Sequence, residues 1–191
     1  MNPKTAVSDL RVAAIIGSVR DGRFGVRIGA WVHDRLTSSG IDVDLIDLAE
    51  STIPHTMGAH EDFTTLTERI GRADAIIVIT PEYNHSYPGP LKTAIDMLGH
   101  ELRAKPVGFV SYGGISGGLR AVEALRPVLA ELHAMTVRET VSLHNPWQSV
   151  AESADGYPDQ AATDALHVMA RQLLWWADAL RTAKERVPYP A

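Results

Sequence analysis

One short segment of the chain has the spacing of a nucleophilic serine. Residues 111–118 read SYGGISGG, and the last five of them fit the pattern G-x-S-x-G. In hydrolases this pattern forms a tight turn around the nucleophile, which needs a histidine base oriented by a carboxylate. The best-placed histidine is His144 at a strand end, and Glu139 is the acid nearest to it. A serine hydrolase therefore stays open as an alternative, while the favoured interpretation is that Ser116 caps a helix starting near Gly117.

A loop with two arginines follows the first apolar run. Residues 17–25 read GSVRDGRFG, between a predicted strand and a predicted helix. Free backbone N–H groups and the helix dipole favour an anion there, Ser18 adds a hydroxyl donor, and Arg20 can bind phosphate oxygens. The loop is not a P-loop, since Arg23 stands where lysine is required, and it is not G-x-G-x-x-G, since Val19 replaces a glycine. A solvated turn is the alternative interpretation.

Two further loops are rich in flat or small residues. Residues 80–90 read TPEYNHSYPGP, with two tyrosines and three prolines that could hold an aromatic ligand at little ordering cost. Alternatively, the prolines only end a strand and the tyrosines cover the next helix. In the segment SYGGISGG, Gly113, Gly114 and Gly117 would let the backbone approach a ligand closely.

Two other groups of residues could do different chemistry. Glu82 could be the nucleophile of a nucleoside transglycosylase built on the same kind of sheet. His55 and His60, beside Glu61 and Asp62, could bind a metal ion, although a solvated loop is the favoured interpretation. We therefore predict neither a metal site nor a catalytic side chain.

Apolar, β-branched runs alternate with helical patterns along the whole chain. Strands are predicted at 10–16, 41–48, 75–79, 107–110 and 136–141. Apolar residues at helical spacing predict a helix after each strand, and the last of these helices has Trp176 on its apolar stripe and Trp175 off it. On the third helix, Lys92 and Asp96 are expected to pair.

This alternation predicts an α/β fold with a doubly wound, five-stranded parallel sheet and helices on both faces. The count of five favours flavodoxin-like strand order, 2-1-3-4-5. In such sheets the ligand lies beyond the carboxyl ends of the strands, where the loops 17–25, 80–88 and 111–118 would meet. We expect a single domain over 1–191, with a flexible segment at 1–9 and a tail at 183–191.

Composition excludes several classes of function. The net charge of −5 gives no basic field for nucleic acid, and the absence of cysteine excludes disulfides, zinc-thiolate sites and thiol catalysis. No apolar run approaches the length of a membrane span, and the N-terminus lacks the apolar core of a signal peptide. We therefore expect a cytoplasmic protein without nucleic-acid or membrane partners.

Three motifs together resemble the NADPH-dependent FMN reductase family. They are the GSxR loop after a strand, TPEYNxSxPGxLKxAIDxL and SxGGxxGG, over about residues 10–133. The resemblance implies a non-covalent FMN with its phosphate on the first loop and its ring between the other two. By position, the phosphate would contact Ser18, Arg20, Arg23, Phe24 and Gly25. The ring and ribityl chain would contact Pro81, Glu82, Tyr83 and Asn84, and the pyrimidine edge would contact Ser111, Tyr112, Gly113 and Gly114. Many members carry Ser-Phe-Asn where this chain has Arg-Phe-Gly.

The same resemblance implies an activity. NADPH would pass a hydride to FMN, and free flavin, a quinone, an azo compound or a metal oxyanion would then take two electrons in a ping-pong cycle. It also implies a homo-oligomer, a dimer or tetramer, with the third helix in the interface. A flavodoxin-type electron carrier or redox sensor is the alternative, but the arginines of the first loop argue against it.

Overall fold

A five-stranded parallel sheet forms the centre of the molecule. The computed structural model describes residues 9–54, 56, 58–148 and 158–190. All strand pairs are parallel, and the order β2-β1-β3-β4-β5 confirms the predicted flavodoxin-like arrangement. The strands are β1 (Arg11–Ile16), β2 (Asp42–Asp47), β3 (Ala75–Pro81), β4 (Pro106–Gly113) and β5 (Met135–His144).

Helices cover both faces of this sheet. They are α1 (Gly25–Ser38), α2 (Glu61–Arg72), α3 (Gly89–Met97), α4 (Leu119–Glu131) and α5 (Gln160–Arg186). The core on one face is built with α1 and α5, and the core on the other face with α2, α3 and α4. A helix therefore follows each of the five strands, as predicted. The predicted Lys92–Asp96 pair is also confirmed, with the ammonium 2.6 Å from a carboxylate oxygen.

The central strand β3 shows why its sequence is apolar at every position. Ile77 and Ile79 belong to the α1–α5 core, whereas Ile76 and Val78 belong to the core on the opposite face. A strand that is buried on both faces needs an unbroken apolar run, because successive side chains point in opposite directions. β2, at the sheet edge, instead alternates apolar and acidic residues.

Strands β3, β4 and β5 all continue further toward the site than predicted, β5 as far as His144. β3 includes Pro81, whose register partner is Tyr112, and the next amide donates from Glu82 N to Tyr112 O at 3.0 Å. β4 likewise continues to Gly113, so the residues Ser111 to Gly113 lie in a strand and not in a loop. The prediction that β3 ends before Pro81 was wrong. Proline lacks a backbone N–H group, so it cannot donate a hydrogen bond to the sheet, but its carbonyl oxygen can still accept one.

The last helix differs from its prediction in two ways. α5 continues to Arg186, so it takes in the first part of the segment assigned to a tail, and Tyr189 packs edge-on against His133. Trp176 is not a core residue: it is 38% exposed and stacks edge-on with Trp175, which is 64% exposed. Leu173 and its neighbours fill the contact with the sheet instead. No helix in the part of the chain that the structure describes is long and apolar enough to cross a membrane.

Candidate functional site

A cleft of about 380 Å³ lies at the carboxyl ends of β1, β3 and β4, where the fold predicts a ligand site. Its walls come from the three loops singled out in the sequence and from one residue just beyond β5. The lining residues are Arg20, Asp21, Gly22, Arg23, Phe24, Pro81, Glu82, Tyr83, Tyr112, Gly113, Gly114 and Trp147.

The loop after β3 is folded back by a two-residue turn. Tyr83 and Ser86 exchange backbone hydrogen bonds of 2.9 and 3.1 Å. The two residues between them have positive φ, 49° for Asn84 and 72° for His85. Turns with two residues of positive φ favour asparagine, whose side chain tolerates the left-handed region. Asn84 therefore shapes the turn that presents the Tyr83 ring, and Asn84 itself lies outside the cleft lining.

A hydroxyl pair joins the first loop to the second. The Ser18 and Tyr83 hydroxyl oxygens are 2.7 Å apart, and Ser18 is fully buried. Close by, the Tyr112 side chain is only 4% exposed, and burial together with the nearby Tyr83 raises its pKa well above the ordinary tyrosine value. A Cβ at Gly25 would lie 2.8 Å from the Tyr112 hydroxyl oxygen, so glycine is needed there for close packing. These buried groups pack beneath the cleft lining and support it.

The first loop offers unused donors. From Ser18 to Gly22, no backbone N–H group donates to another of the described residues. The exposed Arg20 side chain also has no hydrogen bond or ion pair within them. Arg23 is different, because its guanidinium binds Asp47 at 2.5 Å while its buried Nε has no hydrogen-bond partner in that part of the chain. The loop therefore combines free donors with one arginine held in place by an acid.

Glu82 joins the second loop to the start of α4. Its carboxylate accepts hydrogen bonds from the Ser116 hydroxyl, from the Arg120 backbone N–H at 3.2 Å and from the Arg120 guanidinium at 2.9 Å. The Glu82 side chain is only 10% exposed, and this burial acts to raise its pKa. The hydrogen bonds from Ser116 and Arg120 outweigh that effect and hold the pKa of Glu82 below its usual value. Both carboxylate oxygens thus bind protein groups.

The third loop packs so tightly that it requires glycine. Gly118 has φ of +89°, and a Cβ there would lie 2.6 Å from the Ser111 Cβ and 2.7 Å from the Tyr112 backbone nitrogen. The fully buried Ser111 hydroxyl donates to the Gly117 carbonyl at 2.9 Å. The loop is therefore fastened to β4, with Gly113 and Gly114 left bare in the cleft wall.

The structure brings most of the predicted site residues together. Nine of them line the cleft: Arg20, Arg23, Phe24, Pro81, Glu82, Tyr83, Tyr112, Gly113 and Gly114. The other four, Ser18, Gly25, Asn84 and Ser111, lie outside its lining and support it. Sequence reasoning missed Asp21, Gly22 and Trp147 as lining residues. The position of Trp147 just after β5 was the available signal, because loops at the carboxyl ends of the strands build such sites.

Two alternatives lose their geometric support. The prediction that Ser116 caps α4 was wrong, because the helix begins at Leu119 after Gly118 and the Ser116 hydroxyl donates to Glu82. That hydroxyl thus binds a carboxylate and makes no hydrogen bond to His144 within the described chain. Glu82 in turn is occupied by Ser116 and Arg120, which leaves it poorly placed as a nucleophile.

The suggested metal site is also unsupported. The His60 Nδ1 accepts a hydrogen bond from the Asp62 backbone N–H at 3.2 Å and caps α2, and His55 lies outside the residues that the structure describes. Within the described ranges, no group of three or more histidine, cysteine, aspartate or glutamate residues could hold a metal ion.

Comparison with known proteins agrees with the site. A sequence model described as NADPH-dependent FMN reductase matches residues 10–148, a range that contains all five strands and the whole cleft lining. The chain belongs to this family. As a member of the NADPH-dependent FMN reductase family, it is an oxidoreductase of the FMN-dependent, NAD(P)H-using class.

Individual relatives of this chain carry related names. It is 31% identical over 169 residues to a quinone reductase of Escherichia coli K12, covering 82% of this chain and 89% of the relative. It is 27% identical to an FMN-dependent NADPH-azoreductase of Staphylococcus haemolyticus, covering 76% of this chain and 82% of the relative. Among solved structures, it resembles an NADH:FMN oxidoreductase in its apo form with a TM-score of 0.66, at 22% identity and covering 91% and 89% of the two chains.

Proposed function

We propose that the cleft binds FMN, with the phosphate on the first loop and the ring system between the second and third loops. The residues on the walls suit each part of that molecule. Arg20 and the free N–H groups after Ser18 are donors for a phosphate, as at other anion-binding loops that open a helix. Tyr83 and Trp147 offer flat surfaces, and Gly113 and Gly114 add bare backbone to the lining.

The observation that carries this proposal is the row of unused donors on the first loop. Buried or half-buried polar groups are normally hydrogen-bonded in folded proteins. Here the Arg23 Nε is buried without a partner among the described residues. In the same loop, the backbone N–H groups from Ser18 to Gly22 make no hydrogen bond within them, and residues 19–22 are exposed at the cleft. A phosphate in the loop would satisfy these donors together.

Bound FMN would supply the redox chemistry, accepting a hydride from NADPH and returning two electrons to an acceptor. The protein's own contribution is to bind and orient. Glu82 fixes the second loop against α4, and the Ser18–Tyr83 hydroxyl pair fixes it against the first loop. Tyr112 is protonated at neutral pH, as tyrosines ordinarily are, and its raised pKa keeps it so at higher pH, so the floor of the cleft adds no negative charge. No side chain of this site has to transfer a proton.

The acceptor we propose is a quinone or an azo compound. The cleft offers the flat rings of Tyr83 and Trp147 and the bare backbone of Gly113 and Gly114, and acceptors of this kind are flat and need little beyond a ring face on which to stack. We further propose that NADPH is the preferred donor, that the protein is a dimer or tetramer with α3 in the interface, and that it works in the cytoplasm.

Absorption spectroscopy of the purified protein tests the proposal. FMN added to the protein should bind and give a flavin band near ~450 nm, and NADPH added without oxygen should bleach it. A band that neither NADPH nor NADH bleaches would favour an electron carrier. Failure to bind FMN would overturn the proposed site. NADPH and NADH should be compared at equal concentrations, and menadione and an azo dye should be the first acceptors.

A further inference from the structure

Another cavity, of about 440 Å³, lies at the amino ends of β3 and β4, at the opposite end of these strands from the FMN cleft. Its walls come from the end of α2, the segments leading into β3 and β4, and the end of α5. The seven residues of β3 separate it from the FMN cleft, a distance of roughly 20 Å at the usual rise per strand residue. It is therefore not an extension of that cleft.

Three of the cations in this cavity make no hydrogen bond or ion pair through their side chains within the described residues. They are Arg72, Arg103 and Lys184. Two acids are also present, but both are already satisfied. Asp74 accepts from the Arg11 backbone N–H at 2.9 Å, and Glu101 accepts from the Gly99 N–H at 2.8 Å.

A buried ammonium forms part of the same wall. Lys105 is only 4% exposed, and its Nζ donates to the Ile70 carbonyl at 2.5 Å and more weakly to the Gly71 carbonyl at 3.4 Å. These are carbonyls at the end of α2, so Lys105 offsets the negative end of the helix dipole that would otherwise repel an anion. An ammonium has three N–H donors, and one remains unused here.

Together these groups make a positive cavity on an acidic protein. Arg72, Arg103, Lys105 and Lys184 carry four positive charges and Asp74 and Glu101 carry two negative ones, which leaves two positive charges when His100 is neutral. The whole chain has a net charge of −5. The four cations outnumber the two acids of the cavity by two charges, and a bound dianion would offset this excess.

We propose that this cavity binds a phosphate dianion, either free or as the head group of a small phosphate monoester. Arg103 and Arg72 can each bind phosphate oxygens through two N–H groups, and the ammonium groups of Lys105 and Lys184 act as point charges. The Tyr189 ring, which also lines the cavity, is available to the organic part of a monoester.

The pKa of Lys105 provides an independent way to detect an anion bound in this cavity. Burial, and then the nearby charge of Lys184, lower the pKa of Lys105 to about 8, while Asp74 and Glu101 act in the opposite direction. A dianion beside this ammonium would raise the pKa again, because it favours the charged form.

The test is calorimetric titration with inorganic phosphate and, separately, with phenyl phosphate, using FMN-saturated and FMN-free protein. The double variant R103Q/K184Q removes two exposed cations from the cavity without removing any side-chain hydrogen bond or ion pair of the described residues. The control R35Q/R171Q removes two exposed arginines elsewhere, one of them on the same helix as Lys184. We expect one saturable site whose dissociation constant rises about tenfold or more in R103Q/K184Q and stays within about twofold in the control.

Tighter binding of phenyl phosphate than of inorganic phosphate would identify the monoester as the ligand class, and equal binding would identify free phosphate. Equal weakening in both double variants would overturn the site, because it would mean general attraction by surface charge. Absence of saturable binding would overturn it as well. In a parallel NMR titration of the lysine side chains, phosphate should raise the titration midpoint of Lys105. Saturable binding that leaves this midpoint unchanged would place the anion elsewhere and contradict the proposal.

Discussion

Glu82 and Arg120, which are 38 positions apart in the chain, are joined by two hydrogen bonds. The Glu82 carboxylate accepts from the Arg120 backbone N–H at 3.2 Å and from its guanidinium at 2.9 Å. This pair fixes the loop after β3 to the first turn of α4, and the two glycines of the cleft wall lie just before that turn. One wall of the cleft is the loop after β3 and the other contains Gly113 and Gly114. The distance between these walls therefore depends on the contact between Glu82 and Arg120, which lies at the rim of the cleft.

Replacing Glu82 with glutamine should loosen this rim. The substitution E82Q removes the negative charge, so the hydrogen bonds from Arg120 and Ser116 weaken, and we expect the free energy of unfolding to fall by about 1–2 kcal/mol. FMN affinity should fall about tenfold because the walls are less well ordered. Urea unfolding and flavin fluorescence titration measure the two effects.

The matched control for E82Q is E123Q, which alters an exposed glutamate on α4 whose ion pair among the described residues is with Arg126 on its own helix. It should leave FMN affinity unchanged. Equal FMN affinity in E82Q and the wild type would show that the rim contact does not set the spacing of the walls.

An alanine at Gly118 should be poorly tolerated. Its φ is +89° and its Cβ would meet the Ser111 Cβ at 2.6 Å, so strain and overlap add, and G118A should lower the free energy of unfolding by about 2–4 kcal/mol. Gly40 has a similar φ of +82° with no atom within 4 Å of its Cβ position. G40A should therefore cost only about 1 kcal/mol. Thermal unfolding of both variants separates the two causes, and equal losses would mean that the tight packing of the third loop is unimportant.

Arg20 provides a test of the phosphate position. Because its side chain makes no other contact among the described residues, R20Q should leave stability unchanged and weaken FMN binding about tenfold. Riboflavin, which lacks the phosphate, should bind R20Q and the wild type equally well. The control R27Q alters an exposed arginine of α1 that does not line the cleft. A parallel loss of riboflavin affinity in R20Q would show that Arg20 acts on the ring and not on the phosphate.

Lys105 should make stability rise with pH. Its pKa is lowered by burial to about 8, whereas an unfolded lysine titrates near ~10.4, so between these values the unfolded state binds more protons and folding becomes more favourable as pH increases. The free energy of unfolding should rise by about 2–3 kcal/mol from pH ~8 to ~10 and lose that gain as pH falls back through 8. Denaturant titrations of wild type and K105M check this. The variant, which has no ammonium at that position, should show a flatter profile, and an equal rise in K105M would assign the effect to other groups.

The sequence by itself determined the order of the helices and strands, and it also determined that the site lies at the carboxyl ends of the strands. A short, β-branched apolar run such as 75–79 favours a strand covered on both faces, and five strand–helix units with right-handed crossovers allow few arrangements. The motifs around Arg20, Tyr83 and Gly113 therefore converged on one cleft, as predicted. The sequence pattern predicts these features because whether a segment forms a strand, a helix or a loop depends largely on residues close to it in the chain.

The tertiary structure decided which partner each side chain takes. Arg23 binds Asp47, the Ser116 hydroxyl donates to Glu82 and does not cap α4, and Trp147 reaches the cleft from beyond β5. Trp176, placed in the core by its spacing, is exposed because Leu173 and Leu174 already fill the space against the sheet. Hydrogen bonds and packing between residues far apart in the chain depend on distances that only the folded sheet sets, and no periodicity in the sequence records them.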